Sequence, residues 1–276
     1  MIRLLEEKDR EETLRLLDRD HELNLVMIYD ITHFGLEDHG LPFQGSYFGA
    51  FQAGEMGGIA ALFNLGSMFV YAPDQGLALE LADHVAMLER KPRFVIGRTD
   101  WAEPLLERLS SQGLPPLGWE EQDYMTLVPE SFQPRFSPAA RFAEPQDLKR
   151  LMELNRAFQL EYFGSLDEAE EELGKLAGER IRDAGIAVAV VDGEIVSKAE
   201  VMVRTSRAAL IGGVYTVPAC RGRGLSRACM SLLCRAILDN TGKACLSVAK
   251  YNHPARSIYI GIGFEKICDY RMAHFW

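Results

Sequence analysis

The segment that runs from an apolar stretch into a glycine-rich basic turn constrains the fold of this chain most. Residues 208–217 are apolar and include β-branched and aromatic side chains, which predicts a buried strand. Pro218 ends this strand, because proline has no N–H to donate to a sheet. The order Arg-Gly-Arg-Gly follows at 221–224, and a helical pattern begins at Leu225. Such a strand–turn–helix can bind an anion with its backbone N–H groups and the helix N-terminus.

The spacing within this turn narrows the kind of phosphate site. The chain has no Gly-x-x-x-x-Gly-Lys-Ser/Thr loop, and Arg227 stands where the dinucleotide fingerprint needs its third glycine. The order of Arg221, Gly224 and Ser226 instead resembles the pyrophosphate loop of the GCN5-related N-acetyltransferases (GNAT). That family usually has Gly or Ala at the last position, and Ser226 is a mild departure that still fits. A basic turn without a ligand is the alternative reading of this segment alone.

A second segment strengthens the resemblance. Asn252, Ala255, Tyr259 and the pair Gly263-Phe264 resemble the closing signature of the same family, in the family's order after the loop. The resemblance covers about 138–276 and implies acetyl-CoA as the acyl donor, with no metal. It implies the following donor-binding residues: Tyr215, Thr216, Val217, Arg221, Gly222, Arg223, Gly224, Leu225, Ser226 and Asn252.

The resemblance also assigns parts of the chemistry. Tyr259 matches the family's general acid, since a phenol can donate a proton to a departing thiolate. The main chain of 215–217 would bind the pantetheine arm like an added strand, which requires that strand to diverge from 244–249. A core tyrosine bonded to a backbone carbonyl is the alternative for Tyr259.

A general base is harder to predict. Strand 208–217 contains no carboxylate, so Glu200 on the preceding strand is the candidate, with an outward-facing partner of Lys198 as its alternative role. A water chain to the acceptor amine and the carboxylate after Trp276 are further options. His253 is better explained as part of a helix beginning than as a catalytic group.

Composition limits the classes of function. The net charge of −10 disfavours nonspecific nucleic-acid binding and favours a neutral or cationic acceptor, such as a small-molecule or peptide amine. No run of 18 apolar residues predicts a membrane span, and the acidic N-terminus does not resemble a signal peptide. The five cysteines and six histidines lack metal or disulfide spacing, so we expect reduced thiols in a cytoplasmic protein.

The periodicity predicts an α/β protein of two similar halves: residues 1–128, a proline-rich linker at 129–138, and 139–276. The resemblance implies that each half is a GNAT-like unit, with a mixed, mostly antiparallel twisted sheet flanked by helices. The predicted helices are 3–20, 22–31, 77–89, 101–111, 145–158, 166–184, 225–239 and 254–261. The predicted strands are 47–51, 56–63, 67–71, 93–97, 122–128, 141–144, 186–191, 195–204, 208–217, 244–249 and 264–275.

The two halves differ where the chemistry is expected. Residues 51–62 match 190–201 around a Gly-Glu pair, although two generic hairpins could share it by chance. Pro73 ends a strand as Pro218 does, but Asp74 follows it, and a carboxylate there would repel a diphosphate. The first half is therefore predicted not to bind the donor and either to help enclose the acceptor or to serve a structural role only.

The sequence thus predicts an acetyl-CoA-dependent N-acetyltransferase with its active site in the second half. Two alternatives stay open: a non-catalytic acyl-CoA sensor, and a transferase of another acyl or aminoacyl group. No motif identifies the acceptor.

Overall fold

The computed structural model of the protein describes residues 1–164 and 170–275, with side chains for all of these except 170–172. Part of the predicted helix 166–184 and the carboxylate after residue 276 lie outside the described residues. By its contacts the chain divides into two units. One contains Met1–Tyr124, Ser247–Tyr251 and the chain from Ile267 onward, and the other contains Met125–Leu246 and Asn252–Lys266. The sequence-based limits 1–128 and 139–276 remain a prediction, because these contact units alternate along the chain.

The first 127 residues form strands and helices in mixed order. The strands are β1 (Ile2–Leu4), β2 (Gly45–Gln52), β3 (Glu55–Phe63), β4 (Ser67–Tyr71), β5 (Phe94–Arg98) and β6 (Gly118–Leu127). The helices are α1 (Arg10–Leu17), α2 (Leu25–Phe34), α3 (Gln75–Met87) and α4 (Thr99–Ser111). Strands β1 to β4 pair antiparallel in order, and β4 pairs parallel with β5. Helices α3 and α4 bury Leu81, Val85 and Leu105 in the core of this unit.

The rest of the chain repeats this order. Its strands are β7 (Ala140–Phe142), β8 (Ile186–Val191), β9 (Glu194–Arg204), β10 (Ala209–Thr216), β11 (Ala244–Ala249) and β12 (Glu265–His274). Its helices are α5 (Leu148–Phe163), α6 (Glu170–Arg182), α7 (Leu225–Thr241) and α8 (His253–Ile262). Strands β7 to β10 pair antiparallel in order. Within the described residues, no helix combines the length and apolar character needed to cross a membrane.

Two predicted elements need correction at their ends. The helix predicted from residue 3 is wrong at its start, because Ile2–Leu4 is a strand that pairs with Phe48–Ala50 of β2. Three residues are too short for an alternating pattern, and Leu4 and Leu5 also fit the helical spacing of the leucines after them. Helix α5 continues to Phe163, beyond the predicted end at 158, and Gly164 ends it in the left-handed conformation.

The same ion pair recurs in both halves. Arg3 on β1 donates hydrogen bonds from both terminal nitrogens to Asp9, at 2.6 and 2.8 Å. Arg141 on β7 donates in the same way to Asp147, at 2.6 and 3.0 Å. Each aspartate also accepts a backbone N–H three residues before it, which closes the turn before the first helix of each half. The hydrogen bond from Arg3 lowers the pKa of Asp9 to about 2, so this aspartate stays charged at neutral pH.

The matching hairpins also share their turn. Ala53 and Asp192 both have φ of +52°, and the glycines that follow, Gly54 and Gly193, have φ of +89° and +84°. Two consecutive left-handed residues form the turn that best fits the twist of a two-residue hairpin. Together with the repeated ion pair, this indicates two copies of one α/β unit.

Candidate functional site

The basic turn leads directly into α7, and its glycines leave the approach open. Gly222 and Gly224 both have φ of +75°, which favours glycine, and both are exposed. A Cβ on either residue would meet no atom within 4 Å. No side chain among the described residues caps α7, so N–H groups of its first turn can bond an outside acceptor. The turn therefore presents an open, partly positive helix N-terminus.

The equivalent helix of the first half is closed by its own carboxylate. Asp74 caps α3 by accepting the N–H of Leu77 at 2.9 Å. This side chain places a negative charge at the position where Gly224 leaves space. The first half therefore lacks the open helix N-terminus that an anion needs.

Strand β10 pairs with β11 at its beginning. The two run parallel with Ala209 opposite Ala244 and Leu210 opposite Cys245. Across the described part of the chain, no register position joins β10 to β11 beyond Leu210, while β10 stays paired with β9 as far as Thr216. The edge of β10 on the β11 side is therefore free to pair with an extended ligand.

A β-bulge lies in this open stretch. Between Gly212 and Tyr215, β10 has one residue more than the facing part of β9, where Glu200 and Lys198 are their partners. Gly213, inside the bulge, has φ of +54°. The pairing of β3 with β4 in the first half shows no such shift. Because bulges bend a strand and redirect its peptide groups, β10 is shaped differently from its counterpart.

The peptide groups at the end of β10 differ in how they are used. Val217 donates its N–H to β9 at 2.9 Å, so this group is not available to a ligand. Since peptide groups alternate between the two edges of a strand, those of Thr216 face the opposite edge. There the Thr216 carbonyl accepts from Nε of Arg221 at 2.9 Å. The Tyr215 carbonyl accepts from the Ser197 hydroxyl at 3.1 Å.

Arg221 is held by a carboxylate that the sequence analysis did not find. Its Nη2 lies 2.7 Å from both oxygens of Glu161, near the end of α5, and its guanidinium lies over the ring of Tyr215. The hydrogen bond from Arg221 lowers the pKa of Glu161. Arg223 is exposed, and its contact within the described residues is with Sγ of Cys220 at 4.0 Å. Because Glu161 neutralises the charge of Arg221, Arg223 supplies the remaining positive charge of the turn.

Tyr259 lies on the buried face of α8. It is 7% exposed, its ring packs against Phe264, and its hydroxyl has no hydrogen-bond partner among the described residues. Burial, together with the nearby thiol of Cys234, raises the pKa of Tyr259. A phenol in this setting keeps its proton and can donate it in a hydrogen bond to an incoming group.

Two polar residues fix α8 in place. The Asn252 side chain caps the helix by accepting the N–H of Ala255 at 3.2 Å, a use beyond the predicted one. Arg227, in the first turn of α7, donates to the Gly261 carbonyl near the end of α8. Arg227 therefore connects the helix that follows the basic turn with the helix that carries Tyr259. His253 begins α8 and is exposed.

Glu200, the candidate base, lies in a buried ion-pair network. Its Oε1 is 2.5 Å from Nζ of Lys198 and its Oε2 is 3.0 Å from Nη1 of Arg180. Burial would raise the pKa of Glu200, but these two cations hold it below its ordinary value. A carboxylate with both oxygens on cations is a poor proton acceptor. The base role stays a prediction that this geometry disfavours.

No sequence motif marks Glu161, Arg180 or Arg227 as a partner of the predicted residues. Glu161 and Arg221 are 60 positions apart, and no spacing rule connects them. In the sequence, Arg227 is distinguished only by standing where a dinucleotide motif needs glycine. No group of three or more potential metal ligands occurs among the residues described by the structure.

Known proteins share the fold. The model of the FR47-like protein family matches residues 187–273, and no curated protein matches the chain. The GCN5-related N-acetyltransferase from Sphaerobacter thermophilus is 18% identical with a TM-score of 0.68, over 99% of this chain and 94% of that one. A GNAT-family acetyltransferase from Colwellia psychrerythraea is 14% identical with a TM-score of 0.61, over 100% of both chains.

A tandem GNAT protein from the clavulanic acid biosynthesis pathway is also similar. It is 14% identical with a TM-score of 0.60, over 100% of this chain and 98% of that one. The fold predicted from the sequence is therefore confirmed. The chain therefore has the fold of the GCN5-related N-acetyltransferases, and its residues 187–273 are similar to the FR47-like protein family.

Proposed function

We propose that the protein is an N-acetyltransferase that uses acetyl-CoA and binds it at the basic turn and β10. The observation that carries this proposal is the open edge of β10, which leads into an uncapped, glycine-lined helix N-terminus. The pantetheine arm of acetyl-CoA carries amides that can pair with the open strand edge. The diphosphate at one end of that arm can then bind at the helix N-terminus. Acetyl-CoA supplies the activated thioester when it is bound.

The residues of the turn fit a diphosphate. Gly222 and Gly224 allow close backbone approach, and the N–H groups of Leu225 and Ser226 lie in the first turn of α7. Arg223 is exposed beside them and adds positive charge. Arg221 can also bind the diphosphate when it exchanges its hydrogen bonds to Glu161 for hydrogen bonds to a phosphate oxygen. We propose one donor site per chain, because Asp74 occupies the equivalent position in the first half.

Tyr259 is proposed to hydrogen-bond the sulfur as it leaves. Its raised pKa keeps the phenol protonated at neutral pH. Because that pKa exceeds the roughly 8–10 of a thiol, complete proton transfer to sulfur is unfavourable. Tyr259 therefore stabilises the leaving thiolate chiefly by donating a hydrogen bond, and the thiolate takes its proton from solvent water.

No side chain is assigned as the base. Since both oxygens of Glu200 are bound to cations, we propose that water removes the proton from the acceptor amine. The acceptor is proposed to be a small-molecule or peptide amine, and the net charge of −10 favours a neutral or cationic one.

Release of the coenzyme A thiol tests the proposed activity. We expect acetyl-CoA to be consumed in the presence of at least one class of a panel of primary amines, including polyamines, amino sugars, and peptides with a free N-terminus or lysine. Butyryl-CoA in parallel reports on another acyl group. Tight binding of acetyl-CoA with no release for any amine would favour the sensor alternative, and absence of binding at hundreds of micromolar would contradict the proposal.

A further inference from the structure

Two buried charged side chains and a partly buried one lie together beneath the open strand. Lys198 is 1% exposed and Glu200 is 4% exposed, and both project from the same face of β9. Arg180 reaches Glu200 from α6 and also donates to the Met202 carbonyl at 3.2 Å. The three groups therefore join α6 to β9 at the point that faces β10.

The network lies directly opposite the bulge. Gly212 faces Glu200 and Tyr215 faces Lys198, so the two residues that flank the extra β10 residue are paired with the two buried charges. A Cβ on Gly213 would overlap Oε1 of Glu200. The carboxylate therefore fills the space that the left-handed Gly213 leaves beneath the strand.

Such a network needs a reason other than stability. Removing charges from water costs about as much as their mutual attraction returns, so buried ion pairs are weak evidence for stabilisation. Their best-supported use is to fix the register of the elements they join. Here that register is the offset between β9 and β10 at the bulge, where β10 has no register partner on β11 among the described residues.

We propose that Glu200, held by Lys198 and Arg180, is a positioning residue that fixes the β10 bulge and thereby the peptide groups that bind the donor. The proposal rests on the proposed function, because it assumes that acetyl-CoA binds along β10. The positioning role and the base role affect different steps. As a positioning residue Glu200 affects binding of the donor, whereas as a base it would affect removal of the proton from the amine.

The variant Glu200→Gln separates the possible roles, with Glu194→Gln as a matched control at an exposed position of the same strand. We expect Glu200→Gln to raise the KM and the Kd for acetyl-CoA about tenfold. This is roughly the effect of losing one hydrogen bond between the donor and the peptide groups at the bulge. We expect kcat to change by less than about threefold. We also expect any fall of kcat at low pH that the wild type shows, the acidic limb of its pH profile, to be retained in the variant. The control should leave all of these unchanged.

Two outcomes would overturn the proposal. A fall in kcat of about 100-fold or more, with loss of the acidic limb and an unchanged Kd, would make Glu200 the base. A lower melting temperature with unchanged kinetics and Kd would leave it a stability role only. If Glu200→Gln does not fold, the triple variant Arg180→Met/Lys198→Met/Glu200→Met removes all three charges at similar volume and should show the same rise in Kd.

A measurement without ligand distinguishes this proposal from the proposed function. Amide hydrogen exchange at 212–216 should be faster in Glu200→Gln than in the wild type, with unchanged exchange in α7. Equal exchange in the two proteins would overturn the positioning role. If the wild type does not bind acetyl-CoA, the proposed function fails, and this exchange result still decides whether Glu200 fixes the bulge.

Discussion

Replacing Gly224 with aspartate is expected to weaken acetyl-CoA binding by at least about 100-fold. The change gives α7 a carboxylate at its beginning, as Asp74 gives α3. Two unit charges about 4 Å apart repel by about 4 kcal/mol at an effective dielectric constant near 20. Isothermal titration with acetyl-CoA measures the loss.

The variant Gly224→Asn provides the matched control. Asparagine and aspartate have the same shape, and both enter the left-handed conformation of Gly224 more readily than other residues with a Cβ. A Cβ at this position meets no atom within 4 Å, so the cost of either variant is the strain of the left-handed backbone, which the two share. We expect aspartate to weaken binding at least about tenfold more than asparagine. Equal affinities for the two variants would contradict a diphosphate at this turn.

Replacing Tyr259 with phenylalanine is expected to lower kcat about 100-fold while the Kd for acetyl-CoA changes less than about twofold. A positioned acid or hydrogen-bond donor typically contributes 10²–10⁴-fold, and the lower end suits a phenol whose pKa is raised. The hydroxyl has no partner among the described residues, so its removal should not leave another buried group unpaired. Steady-state release of coenzyme A measures kcat.

Tyr270→Phe is the control for burial alone. Tyr270 is 6% exposed, and burial raises its pKa as it does that of Tyr259. It lies outside the motif of residues 252–264, so we expect no change in kcat beyond about twofold. Equal losses in both variants would show that any buried tyrosine has this effect and would remove the special role of Tyr259.

The parts that the sequence predicts well are those encoded locally. The strand at 208–217, the break at Pro218 and the helix from Leu225 depend on periodicity and on residues with strong backbone preferences, and the structure has all three. The hairpin turn at 192–193 is another local feature. The end of α5 and the short strand β1 are predicted less accurately. A helix end is less strongly encoded than a helix interior, and a strand of three residues carries little periodic signal.

The parts that the sequence could not predict depend on contacts between distant residues. The pairing of β12 with β5 joins His274 to Phe94, and nothing in either strand specifies its partner. The sequence makes Glu200 a candidate base because it is a carboxylate on the strand that precedes 208–217, which itself contains none. The sequence does not show that Arg180 in α6 and Lys198 would occupy both of its oxygens.

Amide hydrogen exchange of the whole chain, with and without acetyl-CoA, tests the location of the donor site most directly. We expect acetyl-CoA to slow exchange at 213–217 and 222–228 and to leave 73–79 unchanged. Slower exchange at 73–79, or no change in any of the three segments at saturating acetyl-CoA, would contradict a donor site at the basic turn of the second half.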